Sequence, residues 1–549
     1  MYKFISVRTY HLPSPAKRDF VRRVGDYLFG DPTIHYGVNR KTGKSDIDPA
    51  TSLQDIRVHH PKDAPTPGFL SNRLAKDPTN AAGRTYGTEL GAFLKQRGAE
   101  QYQADQAAKQ AGRTPTSLPT KLGDGHSVYL STNAEQKEFL DRVKLNPETG
   151  YSTVAHLRQP MAFVRNRFFG ESPFSALPKD HQMMTLFYKQ ATKVPSEADV
   201  VNSMEAALLY VDPKQSMDLS ALAHTFSMGV MLRQAFGIPN PDPRLALVLA
   251  DAFLGVYQKI TDLWMRPSAI DSEFEMAGEL LDTLLFDTMQ AQLTSDLVLS
   301  DSEKPVCYAK LPFALQMVCK MMDEQAQGKY GALGTAKYEA KLHALRDNPD
   351  QLHALLKSEA YVRQVTAILH VGSDALATAL SWTLYRLAHQ SSSEWTAQIR
   401  RELESGDSPL LRQVIQEVLR LDPPSPLVPI IPQESITLAS GKVIPKGSFV
   451  VLNSLWMGQD PDVFVDPTAF KPERWADESL PKTTAFGGGN VTCPAVGHAP
   501  KTLYRVIEAL FRRSTVTTVP GSPHPDTCPR NFIGTLYACM QSVMVGPVS

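Results

Sequence analysis

Along the chain, apolar and polar positions change their rhythm three times. The run Ser127-Val128-Tyr129-Leu130 is β-branched and aromatic and predicts a short strand, with a helix start at Ser131 to Asn133. From there to about residue 420 apolar residues recur at helical spacing. This predicts helices over 203–210, 217–236, 243–264, 270–293, 310–325, 335–346, 351–389 and 394–404. Residues 426–452 instead alternate Pro/Gly turns with runs such as Ser435-Ile436-Thr437-Leu438 and Ser448-Phe449-Val450-Val451, which predicts a small sheet. A last helix is expected over 501–513, and the tail from Ile533 to Val545 predicts a closing hairpin. Ahead of these elements, residues 1–80 read as an irregular extension, with loop composition from Lys41 to Pro67. Gln101 to Gly125 is polar, first Ala-rich and helical, then a Thr/Pro turn cluster. No internal repeat is visible. The expected fold class is mainly α with a minor β region, in one domain spanning 81–549.

Composition narrows the function. The 549 residues carry 57 Lys plus Arg against 57 Asp plus Glu, so the chain lacks the basic excess of a nucleic-acid binder. A local basic patch for an acidic redox partner is compatible with that balance. The five cysteines (Cys307, Cys319, Cys493, Cys528 and Cys539) form no C-x-x-C pair, which argues against structural zinc and against a disulfide scaffold. No signal-peptide pattern or spanning segment is read; the most apolar long stretch, Leu245 to Tyr257, is interrupted by Asp251. The expectation is a soluble, cytoplasmic protein that leaves room for a peripheral membrane contact.

Two places concentrate chemistry. The first is Phe486-Gly487-Gly488-Gly489-Asn490-Val491-Thr492-Cys493-Pro494, followed by a helix. Glycines there allow positive φ and close approach to a flat ligand. Backbone N–H groups and the next helix's N-terminus are expected to lower the cysteine's pKa. The loop alone also fits an ordinary buried thiol. The second is the helix Gln413 to Arg420, where Glu417 and Arg420 share a face; Arg474 follows in Phe470-Lys471-Pro472-Glu473-Arg474-Trp475. A carboxylate forked between two guanidiniums would lock the cysteine loop to the core, whereas an isolated pair would be a surface ion pair of little consequence.

Phe486-x-x-Gly489-x-x-x-Cys493, preceded by Pro472-Glu473-Arg474-Trp475 and Glu417-x-x-Arg420, resembles the cytochrome P-450 superfamily. Arg420 lies 54 residues before Arg474, which lies 19 before Cys493, in the family's order and spacing. The resemblance runs from about 126 to 549, most closely from 365 onward, and includes the early strand–helix unit His126 to Leu140. It implies a helical prism with small sheets and a haem b whose axial metal ligand is Cys493. It further implies that Phe486 packs near the sulfur, that Gly489 permits the turn, and that Glu417, Arg420 and Arg474 are structural. His370-Val371-Gly372-Ser373-Asp374-Ala375 resembles the family's oxygen-binding helix, with Gly372 relaxing the helix and Asp374 as its acid. Lys179-Asp180-His181 would open the helix that reaches a haem propionate, with His181 as the contact.

The chain departs from the family at informative points. Ala375 stands where a Thr hydroxyl usually follows the acid, and Thr378, one turn on, is the candidate replacement unless it bonds its own backbone. Val491 stands where Arg or His contacts a propionate, Ala495 replaces a common Gly, and Pro500 falls early in the next helix, where it is expected to bend it. The cysteine loop is also similar to the branch holding prostacyclin synthase and the sterol 7α-hydroxylase, which includes enzymes that rearrange peroxides. Three functions therefore stand open. One is a monooxygenase that takes electrons from a ferredoxin or flavin reductase and acts on a hydrophobic small molecule. The second is a reductase-independent hydroperoxide isomerase, dehydratase or lyase. The third is a non-catalytic haem-binding protein. Met183, Met184, Met228 and Met231 are expected core fillers, His59-His60 a solvated pair, and Cys528 and Cys539 ordinary thiols.

Overall fold

The computed structural model describes residues 52–53, 90–118, 120–122, 125–143, 195–238, 240–250, 253, 285–286, 289, 293, 314–316, 344–356, 367–389, 393–481, 484–489, 492–528, 530–533, 535–538 and 542–547. Helix α1 (Leu90–Gln110) buries Phe93 and Leu94. After it, β1 (Thr120–Leu122) and β2 (Gly125–Tyr129) pair antiparallel. Helix α2 (Asn133–Arg142) begins where the sequence places a start: Thr132 caps it by accepting from the Glu135 N–H at 3.1 Å, and Phe139 and Leu140 turn inward.

Helix α3 (Glu197–Leu208) is capped by Ser196. The pattern at 217–236 divides into β3 (Met217–Asp218) and α4 (Leu219–Met231), because the Asp218 carboxylate accepts from Ser220 N–H and starts the helix there. A π-turn, Leu232–Phe236, extends α4 to Gly237, whose φ of 70° ends it. Residues 243–250 are helical, as are 253, 285–286, 289, 293, 314–316 and 344–346; the rest of the helices expected over 243–346 lies outside the described residues. The long helix expected over 351–389 is helical over α5 (Pro349–Leu356) and α6 (Ala367–Ala388), and 357–366 lies outside the description. Helix α7 (Ser393–Glu404) precedes α8 (Pro409–Leu421), which has Ser408 as cap and Pro409 in its first turn. On α8, Leu410, Leu411, Val414, Ile415 and Val418 fill one face and enter the core. Helices α4 and α6 lie along each other at the centre of that core, with Trp382 and Tyr385 of α6 wholly buried. Met228 and Met231 are buried there as core residues. Leu53, within the segment read as an extension, is buried in the same core and its N–H donates to Tyr210 O at 2.8 Å.

The β-rich stretch forms β4 (Leu427–Ile430), the ladder of β5 (Ile436–Thr437) with β6 (Val443–Ile444), and β7 (Phe449–Asn453). β7 lies between β2, which it joins in parallel, and β4, completing a sheet of order β1-β2-β7-β4. One helical turn, α9 (Ser454–Met457), follows. Helix α10 (Ala499–Phe511) has Pro500 within its first turn, where the missing N–H has no intrahelical partner to lose; the expected bend has no cause there. The tail differs from the single hairpin expected. β9 (Arg530–Ile533) and β10 (Thr535–Ala538) pair with each other, while β11 (Ser542–Pro547) returns between β8 (Ser514–Thr518) and β3. Val543 and Val545 are buried by that pairing, which is what draws the last strand away from the hairpin. Among the described residues no helix is long and apolar enough to cross a membrane.

One buried cation ties the N-terminal helices to the β5–β6 ladder. Lys442, wholly buried, donates to Asp105 of α1 and to Glu135 of α2, the latter at 2.8 Å. Burial pushes the Glu135 carboxyl up, but the charge and hydrogen bond of Lys442 bring it below its ordinary pKa. Replacing Lys442 by Met strands two carboxylates in the interior. Denaturant unfolding of Lys442→Met should show a loss of about 3–5 kcal/mol; an unchanged midpoint would mean that the cation contributes nothing net.

Candidate active site

The site is anchored by α8. Glu417 and Arg420 are 0% exposed, and Arg420 donates to Glu417 through Nε at 2.8 Å and Nη2 at 2.6 Å. The remaining Arg420 donors reach the carbonyls of Gly458, Pro467 and Ala469. A 3₁₀ turn, Pro472–Ala476, brings three more donors to the same carboxylate. They are Arg474 Nε at 3.1 Å, Trp475 Nε1 at 2.9 Å and the Lys471 backbone N–H at 2.8 Å. Burial raises the Glu417 pKa, and Arg420, the Lys471 N–H and Arg474 outweigh it, leaving the carboxyl below its usual value. Two guanidiniums about this carboxylate follow the sequence reading. The indole and amide donors do not, because Trp475 next to Arg474 carries no separate signal.

The cysteine loop continues from this anchor. A 3₁₀ turn, Thr484–Phe486, leads into it, and the Cys493 N–H donates to Phe486 O at 2.8 Å, closing the loop on itself. Gly487 has φ of 71° and Gly489 of 55°, conformations that disfavour any side chain. A Cβ on Gly489 would also stand 2.7 Å from Leu140 O, so the turn sits directly on the end of α2. Thr492 Oγ1 donates to Gly489 O at 2.9 Å. The Cys493 sulfur, half-buried, accepts from the Ala495 N–H at 3.4 Å. The expected lowering of the thiol's pKa is not what the structure gives. Burial pushes it up, and Ala495 supplies a single opposing N–H. A cation at the sulfur is what would hold the thiolate. Val491 and His181 lie outside the described residues, and so do Cys307, Cys319 and Cys539. Cys528 is buried and forms no disulfide.

Helix α6 supplies the other candidates. From Ala377 to Ala388 it is buried throughout. One turn earlier Val371 is 41% exposed and Gly372, Ala375 and Leu376 are half-buried, an i, i+4 stripe of small and apolar side chains. Such a face suits a flat apolar group. Gly372 also faces Met231 of α4, whose Sδ would lie 2.8 Å from an added Cβ, so it serves helix packing. Asp374 turns the other way, buried against α4, where its Oδ1 meets His224 Nε2 at 3.2 Å. Thr378 is wholly buried. His224 was not read as functional; a lone histidine in an apolar helix carries no sequence signal.

Comparison with known proteins agrees with this geometry. Residues 313–535 match the family model for Cytochrome P450. Ferruginol synthase of Salvia fruticosa is 28% identical over 208 residues, an alignment covering 34% of this chain and 42% of that protein. Steroid 17-alpha-hydroxylase/17,20 lyase of Squalus acanthias is 29% identical over 212 residues, covering 34% and 40% respectively. These alignments span less than half of the relatives' length. A solved zebra fish cytochrome P450 structure with abiraterone superposes with TM-score 0.56 at 18% identity, over 82% of this chain and 100% of that one. The fold is the helix-rich one of that solved structure, with the cysteine loop set beside the Glu417 network. Over residues 313–535 the chain is similar to the cytochrome P450 superfamily.

The superfamily holds haem through a cysteine thiolate, and the donor chemistry of Cys493, the left-handed glycines beneath it and the apolar stripe on α6 fit that group. The Glu417 network gives a prediction of its own. Glu417→Gln leaves two guanidiniums around a neutral amide and should lower unfolding free energy by about 3–5 kcal/mol. Because the folded carboxyl is depressed, the wild-type contribution is complete above the unfolded pKa and is lost as pH falls through the folded one. Stability measured against pH should therefore decline less steeply on the acid side in Glu417→Gln. Identical acid limbs in the two proteins would exclude the network as their source.

Proposed function

We propose that the chain is a haem-thiolate monooxygenase that inserts one oxygen atom from dioxygen into a hydrophobic small molecule, with Cys493 as proximal ligand. The observation that carries this is the closed loop: Cys493 N–H bonded to Phe486 O over two left-handed glycines, following the segment that Glu417 clamps. When bound, the haem supplies an iron made electron-rich by thiolate, which favours O–O cleavage. The chain's own residues do the rest. Cys493 would hold the iron, and the Ala495 N–H, which donates to the sulfur, would moderate its charge. Gly489 keeps the loop low against α2. Val371, Ala375 and Leu376 present an apolar wall to cofactor and substrate, and Asp374 lies on the opposite side of the helix, against α4. Val491 and His181 are the proposed neighbours of the propionates, and Thr378 stands one turn beyond the missing hydroxyl. Electrons would come from a ferredoxin or flavin reductase. The names of the relatives, synthases and a steroid hydroxylase, support a lipophilic small-molecule substrate. Cys493 and Cys528, neither of which forms a disulfide, suit a reducing, cytoplasmic setting for a soluble protein.

Ala375 favours a second reading. Without a hydroxyl at position 375, chemistry in which the O–O bond arrives ready-made, hydroperoxide isomerisation or dehydration, has less to lose. One sample decides between the two. Turnover with reductase and dioxygen supports the first, and rapid loss of a fatty-acid hydroperoxide without reductant supports the second. For the ligand itself, Cys493→Ala should abolish the thiolate-type reduced carbon monoxide spectrum completely; its survival overturns the assignment.

A further inference from the structure

We propose that His224 and Asp374 form a unit carrying one mobile proton, a proton reserve next to Ala375; this rests on the haem-thiolate reading above. The argument is one of donors and acceptors. His224 Nδ1 lies 2.7 Å from the Ser220 carbonyl, which only accepts. Nδ1 therefore carries a hydrogen. Ser220 Oγ, at 3.3 Å from the same nitrogen, offers a longer alternative in which Nδ1 accepts, but this would set a bare lone pair against the carbonyl oxygen at 2.7 Å. The first turn of α4 holds Ser220 in place, since its N–H donates to Asp218 at 2.7 Å.

With Nδ1 occupied, the 3.2 Å contact between Nε2 and Asp374 Oδ1 is a hydrogen bond only if one proton lies between them. Either Nε2 carries it, giving imidazolium and carboxylate, or Oδ1 carries it, giving neutral imidazole and carboxylic acid. Transfer across the bond interconverts the two without changing the charge of the pair. Both side chains are 3–4% exposed, so water does not compete for the bond. Loss of one proton from the pair leaves it with one negative charge, and uptake of one proton restores it. Most chains of this class would place a hydroxyl at 375; here the second proton-handling group sits across the helix contact, on α4. His224 is thus a positioning residue that acts through Asp374.

The test uses full-length protein, wild type, His224→Gln, Asp374→Asn and the double variant. Gln keeps a donor toward Asp374 but cannot exchange a proton. Nitrogen-15 NMR of histidine-labelled protein, in the diamagnetic reduced carbon monoxide form, should show the His224 signal (identified by its loss in His224→Gln) with Nδ1 protonated. A bare Nδ1 overturns the proposal. Single-turnover consumption of dioxygen by the reduced protein, in H2O and D2O, should slow about tenfold or more in His224→Gln, less than the roughly 10²–10⁴-fold lost with a group that transfers the proton itself. Its solvent isotope effect should change, while the carbon monoxide spectrum stays as in wild type. Asp374→Asn should slow it similarly, and the double variant should be no slower than the worse single one, as for residues acting as one unit. A His224→Gln rate within twofold of wild type overturns the proposal, as do independent, multiplying losses. A wild type lacking the thiolate spectrum defeats the haem reading instead, and the NMR on the protein as purified then still decides the tautomer.

Discussion

Everything near the sulfur depends on one carboxylate. Glu417 brings a negative charge fully inside, where an unpaired ion is intolerable. Its two oxygens take five hydrogen bonds, from Arg420 twice, Arg474, Trp475 and the Lys471 backbone. The donors come from α8 and from a segment some 54 residues later, so satisfying the charge and closing the fold are the same event. The later segment has almost no regular structure of its own. Its path is set by the need to deliver N–H groups to that point. The chain then descends to the cysteine from a fixed start, which is how an irregular loop acquires a definite position.

Much of this was legible in the linear order of residues, and the reason is locality. The α8 face repeats at helical spacing, Thr132 and Ser408 announce their helices, and the glycines before Cys493 need the left-handed φ that a side chain would resist. The parts that escaped are those made by contacts between distant segments. Lys442 finds Asp105 and Glu135 more than 300 residues away, and no window of sequence contains all three. His224 and Asp374 lie 150 apart on two helices whose apolar patterns say only that both are buried. The thiol's pKa was misjudged because a glycine-rich turn suggests many N–H groups aimed at the sulfur, whereas one arrives and burial prevails. The tail was misjudged because alternation identifies strands without naming their partners, and β11 gains more by burying Val543 and Val545 against β8.

The helix carrying Asp374 divides its labour by face. Its inner turns serve packing, with Gly372 making room for Met231, while the half-open stripe through Val371 and Ala375 is free of that duty. This separation lets the chemistry at 375 change without disturbing how α4 and α6 fit together. An alanine there removes a hydroxyl from the wall and leaves the helix contact as it was. The fold therefore constrains the packed face of the helix tightly and its open face loosely.

The meeting of Gly489 with the Leu140 carbonyl has one more implication. The stop that limits how far the loop sinks is main chain against main chain. Exchange of the residue at 140 alters what touches Gly488 but leaves the oxygen where it is. The depth of the sulfur is thus gauged from the tip of α2, and through α2 from the sheet that precedes it, so a tilt of that sheet would be felt at the thiol as a change of height.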